Sequence, residues 1–407
     1  MKKNKEKIAS KITDFFEFSN IQKKEKENSE EYININLFEE KDSNSSLNNH
    51  GKNQNINTFI FNINNNAFKK KKIEENNINI KPSFFINLSS DSNRNLILLD
   101  FSDPKKLQLK KIEITANNFL NPKEYHQSFP FQNCRLINYN NIAYLIGGKK
   151  NDEDSKLKYF NNIGEDCFYK IVYNKEKEEI KINKITSCIF QHQSHSVLLC
   201  QKYNSILVLS GYEQKNCEYF DLKENKWETI YPLRKPRENA ISLLYNEKYI
   251  FLIGGKHQEK INEDYDVIDF EMFLSKKIQN YWKTYEIKSN KNFLEYIGCG
   301  IISKNDNVYI FGGLNNKNRN KNEFFSWKIN FERDENDKRM IIGNENMDKI
   351  YKINSIESCD EINNNIKKYN KKNNFGFFGQ HNFFNFNGFF FNISCGGQLV
   401  KIPENIF

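Results

Sequence analysis

The sequence predicts an all-β protein built from repeated four-stranded antiparallel sheets. Three observations carry that expectation. Short apolar runs ending on glycine recur along the chain: IAYLIGG to Gly148, SILVLSG to Gly211, YIFLIGG to Gly255 and NVYIFGG to Gly313. A pattern recurring on different stretches marks a repeated structural unit. Each run is apolar almost throughout, so both faces of the strand it forms need cover, which rules out a single sheet with one wet face. Each is also flanked by further strand-like stretches that bring the unit to four.

Set on their glycines, LINYNNIAYLIGG (136–148), LCQKYNSILVLSG (199–211), LLYNEKYIFLIGG (243–255) and IISKNDNVYIFGG (301–313) align without a gap. An apolar pair, a short polar stretch and a second apolar run read as an antiparallel hairpin. The glycines lie where the second strand leaves the sheet and neighbouring backbone approaches closely, which a Cβ would obstruct. A polar loop and a third strand follow. In CEYFDLKENKWETI, Phe220 and Asp221 lead through a turn to Trp227, which opens a fourth strand. The prolines of YPLRKPRENAISLL then interrupt pairing before the next hairpin. Four strands per unit is the number in a propeller blade.

A glycine pair, an aromatic–Asp pair, a Trp seven residues after that aromatic, and Pro-Arg before the next hairpin together resemble the kelch repeat. Phe220, Asp221 and Trp227, Pro236 and Arg237, and Gly254 and Gly255 with Trp282 stand at its marker positions. Gly147 and Gly148, Gly211, Gly312 and Gly313, and Gly396 and Gly397 mark the ends of second strands. The resemblance is best over 188–255, and over 293–356 it is confined to the hairpin and glycines, with Ser326-Trp327-Lys328 in the third strand. Residues 83–114 read as second, third and fourth strands, with Ser89-Ser90 in place of the glycines. Residues 376–402 read as first, second and third. The resemblance implies a kelch-type β-propeller of about six four-stranded blades over residues 81–407.

Ahead of it, IASKITDFFEF sets Ile8, Ile12, Phe15 and Phe16 near one helix face, so residues 1–40 are expected to hold a short amphipathic helix. Residues 41–80, rich in Asn, Ser and Lys, read as a flexible linker. The chain's net charge of +9 comes without a dense Arg/Lys stripe, which argues against nucleic-acid binding. The N-terminus has charges where a secretory segment would be apolar, and no run is long and apolar enough for a membrane helix. The eight cysteines form no C-x-x-C pair and read as reduced, mostly buried thiols, which suits a cytoplasmic protein.

Cys188, His192 and His195, in CIFQHQSH, are the metal-like residues: two histidines three apart and a thiol are zinc-ligand types. Against that, the stretch is where a first strand should start, where a separation of three puts the two rings on opposite faces, and no second cluster completes four ligands. Gly298-Cys299-Gly300 is followed by strand sequence and no Lys-Ser/Thr, so it is not a phosphate loop. No nucleophile elbow is visible, and no pair of carboxylates is singled out by spacing. No cofactor is therefore expected.

The leading expectation is a non-enzymatic interaction module, a rigid disk whose loops meet a protein partner. Within the kelch family such propellers serve cytoskeletal or ubiquitin-ligase roles. The alternative is a propeller enzyme of oxidase or sugar-epimerase type with its site at the central channel.

Overall fold

In the computed structural model the chain divides into two units, residues 1–75 and 76–407. The structure describes residues 84–403 except 89–94, 104–105, 128, 131, 150–164, 276–281, 289–291, 298, 305–306, 312–313, 316–325, 337–349, 363, 365–383, 387–388 and 394–398. The expected N-terminal helix (1–40) and linker (41–80) lie outside the described residues.

The described fold is mostly β. Sheet 1 has three strands, β1 (Phe84–Leu88), β2 (Asn95–Asp103) and β3 (Lys106–Glu113). Sheet 2 contains β4 (Arg135–Tyr139), β5 (Ile142–Ile146), β6 (Phe168–Asn174) and β7 (Glu179–Lys184). Sheet 3 contains β8 (Ser196–Cys200), β9 (Ser205–Leu209), β10 (Cys217–Asp221) and β11 (Lys226–Ile230). In sheet 4, β12 (Ile241–Tyr245) and β13 (Tyr249–Ile253) precede a small hairpin, β14 (Lys256–His257) with β15 (Lys260–Ile261). The sheet resumes with β16 (Asp264–Asp269) and β17 (Lys283–Glu286).

The short strand β18 (Tyr296–Ile297) precedes sheet 5, which begins with β19 (Gly300–Lys304) and β20 (Asn307–Phe311). A second short strand, β21 (Leu314–Asn315), pairs with β18, and β22 (Ser326–Arg333) and β23 (Tyr351–Ser358) complete the sheet. Sheet 6 comprises β24 (Phe384–Phe386), β25 (Phe389–Ile393) and β26 (Leu399–Pro403). All of these ladders are antiparallel, each strand pairing with the next one in its sheet.

Second strands are buried on both faces, as their apolar composition requires, because alternate residues enter different cores. On β5, Ala143 and Leu145 pack with Ile86, Leu96 and Leu98 of sheet 1. Tyr144 and Ile146 pack with Ile206, Val208, Phe220 and Trp227 of sheet 3. On β9 the other pair, Leu207 and Leu209, joins Ile250 and Leu252 of sheet 4, and Phe251 and Ile253 of β13 join Val308 and Ile310 of sheet 5. Five consecutive sheets thus share four apolar layers. Each fully buried aliphatic or aromatic side chain is worth about 1.5–3 kcal/mol, so the layers, not the loops, carry the stability. The first strand β8 lies beside both β4 and β12.

The gapless alignment of the hairpins needs correction. The first turn takes two residues in sheet 2 (140–141), four in sheet 3 (201–204) and three in sheet 4 (246–248). Pairing puts Arg135, Ser196, Ile241 and Gly300 at one position, opposite Ile146, Leu209, Ile253 and Phe311. Left-handed residues absorb the difference: Asn140 and Asn141, Asn204, and Asn246 with Glu247. Asparagine tolerates that conformation better than most side chains, which is how turns of unequal length close equal ladders.

Sheet 1 begins beside the β4–β5 turn, where Phe84 N–H donates to Asn141 Oδ1 at 3.1 Å. Its first described strand therefore runs toward the glycine end, in the direction of a second strand. Where a first strand would pair, the Asn138 side-chain amide pairs instead: Ile86 N–H donates to Oδ1 and Nδ2 donates to Ile86 O, both at 2.9 Å.

Candidate functional site

Of the polar residues that sequence reasoning singled out, His192, His195 and Arg237 lie where second strands end, whereas Asp221, opposite Ser205, lies at the other end of its sheet. A loop enters each sheet just before its first strand, and Asn133, Ser194 and Asn239, each two residues before that strand, are all left-handed (φ 55, 50 and 51). These equivalent residues bond one to the next: Ser194 N–H donates to Asn133 O at 2.9 Å, and Asn239 N–H to Ser194 O at 2.7 Å. The three entry loops of sheets 2, 3 and 4 are therefore joined into one frame.

The glycines make room for that frame. Gly147, Gly148, Gly211, Gly254 and Gly255 end β5, β9 and β13, and all have positive φ. At Gly147 a Cβ would collide with His192 O and lie 2.9 Å from His195 Cε1, so the neighbouring sheet's entry loop occupies its place. Gly148 N–H donates to His192 O at 2.7 Å. Gly312, Gly313, Gly396 and Gly397 lie outside the described residues.

Two buried pairs hold the entry loops. His192 and Arg237 each stand four residues before their first strands. Glu218 and Asp266 each face the penultimate residue of the second strand, Val208 and Leu252. His192 Nε2 is 2.8 Å from Glu218 Oε1, with both side chains fully buried. His192 Nδ1 lies 3.1 Å from Ser210 O, a group that only accepts, so Nδ1 carries a hydrogen. Glu218 also accepts from Ile189 N–H at 2.8 Å and Phe190 N–H at 3.2 Å.

One sheet later, Arg237 Nε donates to Asp266 Oδ2 at 2.6 Å and Nη2 to Asp264 Oδ1 at 2.7 Å. Its Nη1 bonds Gly254 O at 2.8 Å and Asp264 O at 2.9 Å. Burial alone would raise the Asp264 carboxyl, but Arg237 and Lys235 outweigh it and hold it below its ordinary value.

The expectation that His192 and His195 face opposite sides of a strand is overturned. Both precede β8, and the left-handed Ser194 between them turns the chain, so the rings lie on the same side with centroids 5.4 Å apart and no exposure. Both His192 nitrogens are engaged by protein groups. Neither nitrogen of His195 has a partner, and burial, then His192 and Arg135, push its pKa well below the ordinary value. Cys188 is buried with its sulfur 3.9 Å from Cys167 O, and burial raises its thiol well above normal. Among the described residues, no three His, Cys, Asp or Glu side chains cluster as a metal site would need.

The remaining markers are structural. Phe220 pairs with Trp227 across β10 and β11, both buried in the layer between sheets 2 and 3. Asp221 Oδ1 accepts from Lys223 and Glu224 N–H, fixing the turn. Trp282 is half-buried against the layer between sheets 3 and 4, and its Nε1–H donates to Tyr231 O at 2.7 Å. Pro236 precedes Arg237 and accepts from Asn262 Nδ2 at 3.3 Å. The described cysteines are free thiols: Cys167, Cys188, Cys200, Cys217 and Cys299 are buried, and Cys134 and Cys359 half-buried.

Sequence reading missed Glu218, Asp264, Asp266 and Arg135. Arg135 opens β4 and is 9% exposed. Its Nε donates to His195 O at 2.8 Å, Nη1 to Cys134 O at 3.1 Å and Nη2 to Asn239 Oδ1 at 2.6 Å. One side chain of sheet 2 thus reaches across the entry of sheet 3 to that of sheet 4. Among the described residues no helix is long and apolar enough to cross a membrane. In comparisons with known proteins, no family model and no curated protein matches the chain.

Proposed function

We propose that residues 81–407 form a kelch-like β-propeller of about six blades that works in the cytoplasm as a non-enzymatic protein-interaction scaffold. The loops at the glycine end hold the partner. The observation that carries this reading is the frame of entry loops, joined by backbone bonds and anchored by His192–Glu218 and Arg237–Asp266. Variable loops leave from that fixed base: the tight turn carrying exposed Glu213 and Lys215, and the β14–β15 hairpin carrying exposed Gln258, Glu259 and Lys260. A rigid frame with divergent exposed loops is the division of labour that lets recognition vary while the strands stay fixed. Its mixed charge would select partners and speed encounter.

The test is affinity capture with the full-length chain, followed by mass spectrometry. One variant replaces His257–Lys260 by a short Asn-Gly turn, and a matched variant alters Asn246 and Glu247 at the opposite end. A partner lost only with the glycine-end change supports the reading. A partner that survives it but is lost with the opposite change removes the glycine end from recognition.

A further inference from the structure

Two arginines are buried in the entry-loop frame, and they are neutralised very differently. Arg237 has no exposure and meets two carboxylates, Asp264 and Asp266. Arg135 bonds only neutral oxygens, those of His195, Cys134 and Asn239. Among the described residues, no carboxylate lies within ion-pairing distance of it. A buried guanidinium with no carboxylate bonded to it is costly, and carbonyl dipoles together with the charge of Glu238 return only part of that cost. Burial correspondingly lowers Arg135 to about 10. A guanidinium has five N–H donors, and three are used here. Beside it stands His195, fully buried with both ring nitrogens unpartnered.

We propose that Arg135, with the neutral His195 ring alongside, forms a binding site for a small oxyanion, of phosphate or carboxylate type, at the glycine end where sheets 2, 3 and 4 meet. The two spare guanidinium N–H groups donate to the anion, and its charge supplies what Asp264 and Asp266 supply to Arg237. Glu238 is the nearest competing acid. Its charge acts on Arg135 through space, and no bond joins them directly: Glu238 Oε1 lies 3.3 Å from Asn239 Nδ2, whose Oδ1 accepts from Arg135. The relay leaves the guanidinium a partner of its own to gain. The site does not depend on the scaffold reading, since an anion could bind there in a protein of any function.

The experiment is thermal unfolding of the full-length chain in sodium phosphate, and separately in sodium acetate, each against sodium chloride of equal ionic strength. Specific binding raises the melting temperature above the chloride value. The excess should vanish in Arg135→Gln, with affinity at least about tenfold weaker, the usual loss for charge-assisted bonds. In Glu238→Gln it should grow, because a competing negative charge is gone. Gain in one salt only tells which oxyanion fits. No gain in either, or an equal gain in Arg135→Gln, overturns the proposal. Should Arg135→Gln fail to fold, phosphorus NMR line broadening of inorganic phosphate decides: the unaltered chain should broaden the line more than chloride-matched competition allows, and Glu238→Gln more still. An unbroadened phosphate line together with an unbroadened proton line of acetate overturns the site.

Discussion

His192 and Glu218, 2.8 Å apart and fully buried in sheet 3, occupy the positions that Arg237 and Asp266 occupy in sheet 4. The chemistry differs while the geometry repeats. In each case a cationic or hydrogen-donating side chain four residues before the first strand ties the entry loop to an acid on the third strand. The third-strand position of the acid carries Tyr169 in sheet 2 and Trp327 in sheet 5. Sheets 3 and 4, whose entry loops the Arg135 side chain joins, have an acid at that position instead.

Because Arg237 has no water to fall back on, removing one partner should cost far more than removing both. Asp266→Leu leaves the guanidinium short of a counter-charge and should lose about 3–5 kcal/mol, and Arg237→Met leaves the acid buried without its partner. Arg237→Met with Asp266→Leu should lose clearly less than the two single changes summed. Urea unfolding of the four chains in a double-mutant cycle measures this, and simple additivity would refute the coupling.

Acid should find His195 before it finds the carboxylates. Its folded pKa is depressed, so below an unfolded value of about 6.5 the unfolded chain binds a proton that the folded chain refuses. Stability therefore falls as pH drops below that value, by up to about 1.4 kcal/mol per pH unit until the folded pKa is reached. Asp264, held low, adds its loss only further down, below an unfolded value of about 3.9. His195→Leu breaks no hydrogen bond of the ring, and it should flatten the slope between about pH 5 and 6.5. An unchanged slope in unfolding curves across that range would assign the proton elsewhere.

The strand count, the two-faced second strands and the glycine ends were legible because apolar periodicity and glycine report backbone demands directly. The entry-loop frame was not. Aligning 199–211 on 136–148 without a gap put Leu198 where Arg135 stands, because turn length cannot be read from composition. With Ser196 restored to that place, His192 falls on Arg237 and ceases to look like a metal ligand. The acids hid for another reason. Glu218 and Asp266 sit within strands, CEYFD and DYDVID, where an alternating polar residue looks solvent-facing, and only the fold shows that both are buried.

Gly147 and Gly254 stand at the same position with similar φ, 56 and 64, yet alanine should not cost the same at the two. The left-handed backbone charges each substitution about 1–2 kcal/mol. At Gly254 the new methyl meets Leu294 Cδ2 at 2.6 Å, the far end of a side chain that can turn aside. At Gly147 it meets His192 O, a backbone oxygen in the joined frame. Gly147→Ala should therefore be the more destabilising by at least about 1 kcal/mol. Equal melting temperatures for the two variants would mean that the frame yields as easily as a leucine.

Two of the three tryptophans, Trp227 and Trp282, make the last comparison. Trp227 is 7% exposed and packs on Phe168 and Phe220, with ring centroids 5.0 and 5.2 Å away, so it fills the layer between sheets 2 and 3. Trp227→Ala leaves a cavity walled by two sheets that cannot both collapse, and should cost about 3–5 kcal/mol. Trp282 lies half-buried at the edge of the next layer, and its bond to Tyr231 O can pass to water. Trp282→Ala should cost about 1–2 kcal/mol. Trp227→Phe should recover much of the loss by keeping an aromatic against Phe168. Chemical unfolding of the three variants gives the ranking, and a Trp282→Ala loss equal to that of Trp227→Ala would show that the layer between sheets 3 and 4 depends on its rim as much as on its interior.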